Sequence, residues 1–152
     1  MERHTHFMRL ALAEAEKALS HQDVPVGAVV VRDGKILGAG HNMREYRKSA
    51  CAHAEIVAIQ AACRALEDWQ LKGCELYVTL EPCPMCAGAI LNARISRVYF
   101  GAYEEKYGAV GSRLNLYYDH VFPHQVSFRG GILEDECARL LQTFFTGIRR
   151  SK

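Results

Sequence analysis

Residues 75–93 read ELYVTLEPCPMCAGAILNA. The run from Glu75 to Leu80 is rich in β-branched, aromatic and aliphatic residues, the composition of a buried strand. Directly after it, Pro82 to Ala93 reads as a helix, opened by proline in a position that suits a helix start. Cys83 and Cys86 sit at this junction, three residues apart, a spacing that puts two side chains on one helix face. The free N–H groups and dipole at a helix start favour negative charge and lower a thiol's pKa.

The same rhythm extends both ways. Met8, Leu12, Ala15 and Leu19 fall at helical spacing and predict an amphipathic helix over Met8 to Leu19, broken by Pro25 and Gly27. Ala28 to Arg32 is a β-branched run, Asp33-Gly34 a hairpin turn signal, and Lys35 to His41 a second strand. A polar loop from Asn42 to Ala52 leads to an alanine-rich helix over His53 to Leu66, with Ile56, Ile59 and Cys63 on one stripe. Beyond the opening stretch, Arg97 to Gly101 predicts a fourth strand and Ala102 to His124 a long loop with short helical turns. Gln125 to Arg129 predicts a fifth strand, and Leu133 to Arg150 a closing helix carrying Leu140, Leu141, Phe144 and Phe145. Strands alternating with helices after a hairpin predict a three-layer α/β/α domain with a mixed five-stranded sheet.

The 152 residues have the length of one domain, read as a single domain over 1–152. A hydrophobic fraction of 49% and a charged fraction of 24% are those of a globular chain and exclude disorder. The net charge of +2 permits a nucleic-acid partner without arguing for one. Arg44, Arg47 and Lys48 share one loop and Arg149, Arg150 and Lys152 close the chain; each cluster alone reads as solvated charge. The longest apolar stretch, Val24 to Val31, is too short to span a bilayer, so no membrane partner is expected. With no apolar leader pattern, a reducing, cytoplasmic compartment is expected, where cysteines serve as metal ligands or packing residues. Cys51, Cys63, Cys74 and Cys137 are assigned to packing, the histidines near the N-terminus to the surface, and His120 and His124 to contacts with solvent or RNA.

Two segments carry chemistry: Cys51-Ala52-His53-Ala54-Glu55, and Glu81-Pro82-Cys83-Pro84-Met85-Cys86. Two thiolates and one imidazole suit zinc, and His53 supplies the third ligand beside Cys83 and Cys86. Three protein ligands leave a fourth position open for water, the pattern of a catalytic site. Glu55, two residues beyond His53, can face the same cavity if His53 lies at the entry of its helix. A structural zinc ribbon needs a second Cys-x-x-Cys pair, which the chain lacks. A redox Cys-x-x-Cys fits the strand–helix topology but leaves His53 and Glu55 unexplained.

His-x-Glu followed by Pro-Cys-x-x-Cys resembles the zinc deaminase signature. Its wider context resembles the bacterial tRNA-specific adenosine deaminases over nearly the whole chain. Val24-Pro-Val-Gly-Ala-Val29, Thr79-Leu-Glu-Pro-Cys-Pro-Met-Cys-Ala-Gly-Ala89, Phe100-Gly-Ala102, Gly108-Ala-Val-Gly-Ser112 and Gly130-Gly-Ile-Leu-Glu-Asp-Glu-Cys-Ala138 carry that likeness. The resemblance implies a cytidine-deaminase-like fold, one zinc ion per subunit held by His53, Cys83 and Cys86, and Glu55 as proton shuttle. It implies hydrolytic conversion of adenosine to inosine at the wobble position of a tRNA anticodon stem-loop, by a homodimer. Asn42 matches the family asparagine that contacts the flipped nucleoside, although asparagine after a strand is equally a turn residue. The Ala54 N–H is expected to face the base. Phe145 is expected to stack on an anticodon base or to occupy a core position. Glu104 stands where the family is expected to carry aspartate; it keeps a carboxylate for a ribose hydroxyl on a longer arm. Two alternatives stay open: a free-base deaminase acting on guanine or cytosine with the same zinc site, and a zinc-stabilised RNA-binding module. Glu55 speaks against the second, because a structural site has no use for a carboxylate beside an open metal position.

Overall fold

The computed structural model describes residues 2–118 and 121–151, the last three by backbone alone. The readings of His120 and of the basic side chains of Arg149, Arg150 and Lys152 fall outside that description. Helix α1 spans Glu2–Lys17 and tightens into a 3-10 turn over Ala18–His21. It starts earlier than the apolar spacing alone predicts. Strands β1 (Gly27–Arg32) and β2 (Lys35–His41) form the expected hairpin. Asp33 (φ 51°) and Gly34 (φ 78°) both take the left-handed region, the turn chemistry that matches strand twist. A short helix α2 (Arg44–Arg47) stands inside the segment read as loop. Its N–H at Glu45 donates to the buried Asp23 carboxylate at 3.0 Å. Then come α3 (Ala54–Leu66), β3 (Glu75–Leu80), α4 (Pro84–Asn92), β4 (Arg97–Ala102), β5 (Ser127–Arg129) and α5 (Glu134–Ser151).

The five strands lie in the order β2-β1-β3-β4-β5. β1 runs antiparallel to β2 and β3, while β3, β4 and β5 run parallel. Parallel neighbours need a crossover, and α4 supplies the one between β3 and β4. Side chains alternate across the sheet. Val29, Val31, Tyr77 and Tyr99 pack with Phe7, Met8 and Ala11 of α1 and Cys137 of α5. Ala28, Val30, Leu76, Val78, Val98 and Phe100 pack on the other side with Ala54, Ala58, Ala62, Ala87 and Ile90 of α3 and α4. The three layers expected from the sequence are therefore present.

One contact sets where α3 begins. Ala54, Ala58 and Ala62 recur every fourth residue and form a smooth stripe on α3. Gly38 and Gly40, two apart on β2, face that stripe with no side chain between. A Cβ on Gly40 would lie 2.6 Å from the Ala54 carbonyl oxygen, and one on Gly38 would strike the backbone of Ala58 and Ala62. Overpacking a tight contact costs about 1–3 kcal/mol. Gly40→Ala should therefore lower unfolding stability by about that much, read as an earlier urea midpoint at constant slope; an unchanged midpoint would contradict this packing account.

Candidate active site

His53 is the N-cap of α3 (φ −78°, ψ 156°) and Cys83 the N-cap of α4 (φ −76°, ψ 174°). Both are extended residues leading into a helix. Pro84, not Pro82, takes the first helical position of α4, so this helix begins two residues later than the sequence predicts. The shift puts Cys83 at the cap and Cys86 on the first turn. His53 Nδ1 lies 3.7 Å from Cys83 Sγ and 3.5 Å from Cys86 Sγ. Tetrahedral zinc with bonds of about 2.0–2.3 Å separates its ligand atoms by roughly 3.5–3.8 Å. The three donor atoms, all within 4.8 Å of one another, fit that ion.

The charge balance points the same way. Cys86 donates its S–H toward Cys83, which holds the Cys83 pKa well below the usual thiol range, with help from His53 against the effect of burial. The same hydrogen bond, followed by burial, pushes Cys86 far up. The His53 pKa is raised, first by its hydrogen bond to Cys83 and against burial. The pair of thiols thus keeps one proton where a divalent cation would sit. The dipoles of both helix starts add positive potential to that point, which favours thiolates.

Glu55 lies on the first turn of α3 and is 4% exposed. Burial raises its pKa to about 7, and the charge of Cys83 pushes the same way. A carboxyl group with that pKa can take or give a proton at neutral pH. As the sequence suggested, His53 and Glu55 line one cavity, of about 620 Å³. Asn42, Glu104 and Phe145 line it too, with Arg44, Met85, Tyr107 and Leu141. Phe145 is 43% exposed, so it stands at the cavity wall and is not a core residue.

Asn42 is tied at both ends of its amide: Nδ2 donates to the Val24 carbonyl at 3.0 Å, and Oδ1 accepts the Ala54 N–H at 3.0 Å. The Ala54 N–H, expected to face the base, is engaged by Asn42. That bond links the end of β2 to the start of α3, where His53 sits. Glu104 is half-buried, and its Oε1 accepts the Lys106 N–H at 2.9 Å.

Several other readings are corrected. Cys51 is exposed and packs against no core, whereas Cys74 and Cys137 are buried as expected. Half-buried His124 bonds the Ile95 carbonyl through Nε2 at 2.9 Å, a structural tie within the protein. His4 is not free at the surface: its Nδ1 lies 2.7 Å from the Tyr77 hydroxyl, and its ring packs tilted against Tyr99 with centroids 4.3 Å apart. Sequence reasoning gave Glu81 no role, yet it is 2% exposed, with four donors on its carboxylate. An acidic residue directly after a buried strand, just before Pro-Cys, was the available signal.

Two thiols and an imidazole close enough to hold zinc, with a buried carboxylate lining the same cavity, are the parts of a zinc-dependent hydrolase. Residues 1–102 match the family described as the cytidine and deoxycytidylate deaminase zinc-binding region. The tRNA-specific adenosine deaminase of Bacillus subtilis (strain 168) is 46% identical over 146 residues, covering 96% of this chain and 91% of that protein. A solved structure from biochemical and structural studies of A-to-I editing by tRNA:A34 deaminases superposes with TM-score 0.85 at 45% identity, covering 90% of this chain and 99% of that one. The guanine deaminase structure from Bacillus subtilis reaches TM-score 0.62 at 40% identity, over 64% of this chain and 63% of that one. The chain belongs to the zinc-binding cytidine and deoxycytidylate deaminase family and, within it, to the tRNA-specific adenosine deaminases.

Metal ligands must shed their protons before they bind. Zinc loading of the metal-free protein at pH 7 should therefore release at least about one proton per subunit, the one Cys86 holds, measurable with a pH indicator in weak buffer. Cys86→Ala should abolish stoichiometric zinc binding; retention of a full zinc equivalent would remove Cys86 from the ligand set.

Proposed function

We propose that this enzyme deaminates adenosine to inosine at the wobble position of a tRNA anticodon stem-loop. The observation that carries this reading is the buried Glu55 beside the His53–Cys83–Cys86 trio, at the floor of a cavity that is open at its rim. Zinc, when bound, supplies a water of strongly lowered pKa. In the hydrolysis the water oxygen would replace the amino group on the ring carbon, and Glu55 would carry the water's two protons, one to the neighbouring ring nitrogen and one to the departing ammonia. Its pKa of about 7 matches a group that must accept and release a proton in one cycle. Burial is the cause of that value, so the surrounding apolar wall is part of the catalytic apparatus.

The cavity's volume is within the usual range for small-molecule sites, ample for one nucleoside. A base stacked within RNA cannot reach Glu55, so the adenosine is extruded from its loop, where unstacking is least costly. Asn42, held by Val24 and Ala54, presents a fixed amide edge to the nucleoside, and Ala54 contributes through that amide. Glu104 accepts from a ribose hydroxyl. Arg44 at the rim meets phosphate, and the exposed faces of Phe145 and Tyr107 stack on neighbouring bases. A homodimer with one zinc per subunit, working in the cytoplasm, completes the reading; no described helix is long and apolar enough to cross a membrane.

A free-base deaminase would share the zinc site. The likeness to the tRNA enzymes keeps 45–46% identity over 90% or more of this chain, whereas a guanine deaminase structure that spans 92% of the chain shares only 23% identity. The distinguishing assay offers the zinc-loaded protein an anticodon stem-loop with wobble adenosine, alongside free guanine and cytosine. Inosine in the RNA is expected, and turnover of a free base with intact RNA would move the enzyme to nucleobase salvage. Glu55→Gln should retain zinc and lower kcat by roughly 10²–10⁴-fold. Phe145→Ala should raise KM for the stem-loop with little change in kcat, since its stacking acts on binding.

A further inference from the structure

Glu81 stands outside the His53–Cys83–Cys86 trio, yet it lines the cavity and is 2% exposed. Its Oε2 accepts the N–H of Val110 at 3.1 Å and of Ser112 at 3.0 Å. Its Oε1 accepts the Glu104 N–H at 3.1 Å and the Ser112 hydroxyl. Four donors fill the capacity of one carboxylate. All of them come from the segment 104–112, which belongs to no helix or strand; its own backbone supplies a turn, with the Gly108 N–H donating to the Glu104 carbonyl at 2.9 Å, and an isolated bridge from Val110 to Asn115.

That segment is drawn tightly over the carboxylate. A Cβ on Gly108 would lie 2.5 Å from Glu81 Oε2 and would also strike the Glu104 carbonyl. The backbone here is fixed as well: the Glu81 N–H donates to the Ala102 carbonyl at 2.9 Å, and the Pro82 carbonyl accepts the Ala109 N–H of the segment at 2.9 Å. The segment presents Glu104 and Tyr107 to the cavity. One carboxylate thus joins the strand that leads to Cys83 with the wall that faces the substrate.

We infer that Glu81 is a positioning residue: through the 104–112 segment it sets the substrate-facing wall and so governs substrate affinity, while the zinc site and Glu55 perform the chemistry without it. The affinity half of this inference rests on the reading that Glu104 and Tyr107 meet the nucleoside and its neighbours.

Glu81→Gln keeps the size of the side chain but turns an NH₂ group toward N–H donors. In the zinc-loaded enzyme, hydrogen exchange at the Val110 and Ser112 amides should speed up by about tenfold or more as the segment opens. Zinc content should stay at one per subunit. KM for the anticodon stem-loop should rise about tenfold, with kcat within about twofold. Glu104→Gln should also raise KM, and the double variant should be no worse than the poorer single, because both act on one wall. Unchanged exchange at Val110 and Ser112 would overturn the positioning role. Zinc loss, a fall in kcat at constant KM, or additive effects in the double variant would overturn the link to substrate affinity. The exchange measurement needs no substrate. A wild type that leaves the stem-loop untouched while Glu81→Gln still opens the segment would defeat the proposed substrate and leave the positioning role standing.

Discussion

His53 and Cys83 each cap the start of a helix, and their side-chain atoms meet 3.7 Å apart. Everything catalytic depends on that meeting of two helix N-termini. A cap residue is extended while the residues after it are helical, so a single position can reach sideways into a site and still anchor a rigid element. The first turns then deliver two more groups to the same place, Glu55 from α3 and Cys86 from α4. The four groups need no loop to position them, and their spacing is inherited from helix geometry. The separation of α3 from α4 is fixed in turn by the sheet, through the alanine stripe of α3 on the bare backbone of β2 and through α4 as the crossover between β3 and β4.

The surroundings divide the work between chemistry and recognition. Burial at the floor sustains the perturbed proton affinity of Glu55, which would be lost in water. The rim is built from pieces with different origins: α2 brings Arg44, the segment after β4 brings Glu104 and Tyr107, and α5 brings Leu141 and Phe145. Such a rim can change without disturbing the floor, which is how a single zinc-deaminase fold serves both free bases and nucleosides held in RNA.

The residues that meet in the cavity were grouped in the sequence by two signals, the spacing of Cys83 and Cys86 after a strand and the resemblance of His53-Ala54-Glu55 to the zinc deaminase signature. Two cysteines three apart after a strand, and a histidine two before a glutamate at a helix entry, leave little freedom. The hairpin was equally plain, since Asp33-Gly34 permits the left-handed turn that strand twist requires. Boundaries drifted where a motif offered two prolines: Pro82 and Pro84 both suit a helix start, and only tertiary packing selects Pro84. α2 escaped notice because four polar residues have no apolar period; Asp23, twenty-two residues upstream of Glu45, holds it. Glu81 and His124 were missed or misread for a related reason. Their partners lie 23 to 31 residues away for Glu81 and 29 for His124, and no local pattern reports such long-range hydrogen bonds. Asn42 shows the intermediate case: expected to contact the nucleoside or to serve as a turn residue, it lines the cavity, and its amide ties β2 to α3.

The central claim is a catalytic zinc centre with three protein ligands and one open position. Zinc X-ray absorption on the metal-loaded enzyme tests it most directly. The account predicts two sulfur scatterers at about 2.3 Å and nitrogen or oxygen scatterers at about 2.0–2.1 Å, one from His53 and one from an exchangeable ligand that a substrate-like inhibitor displaces. A shell of four protein ligands that no added molecule perturbs would contradict it and make the zinc structural.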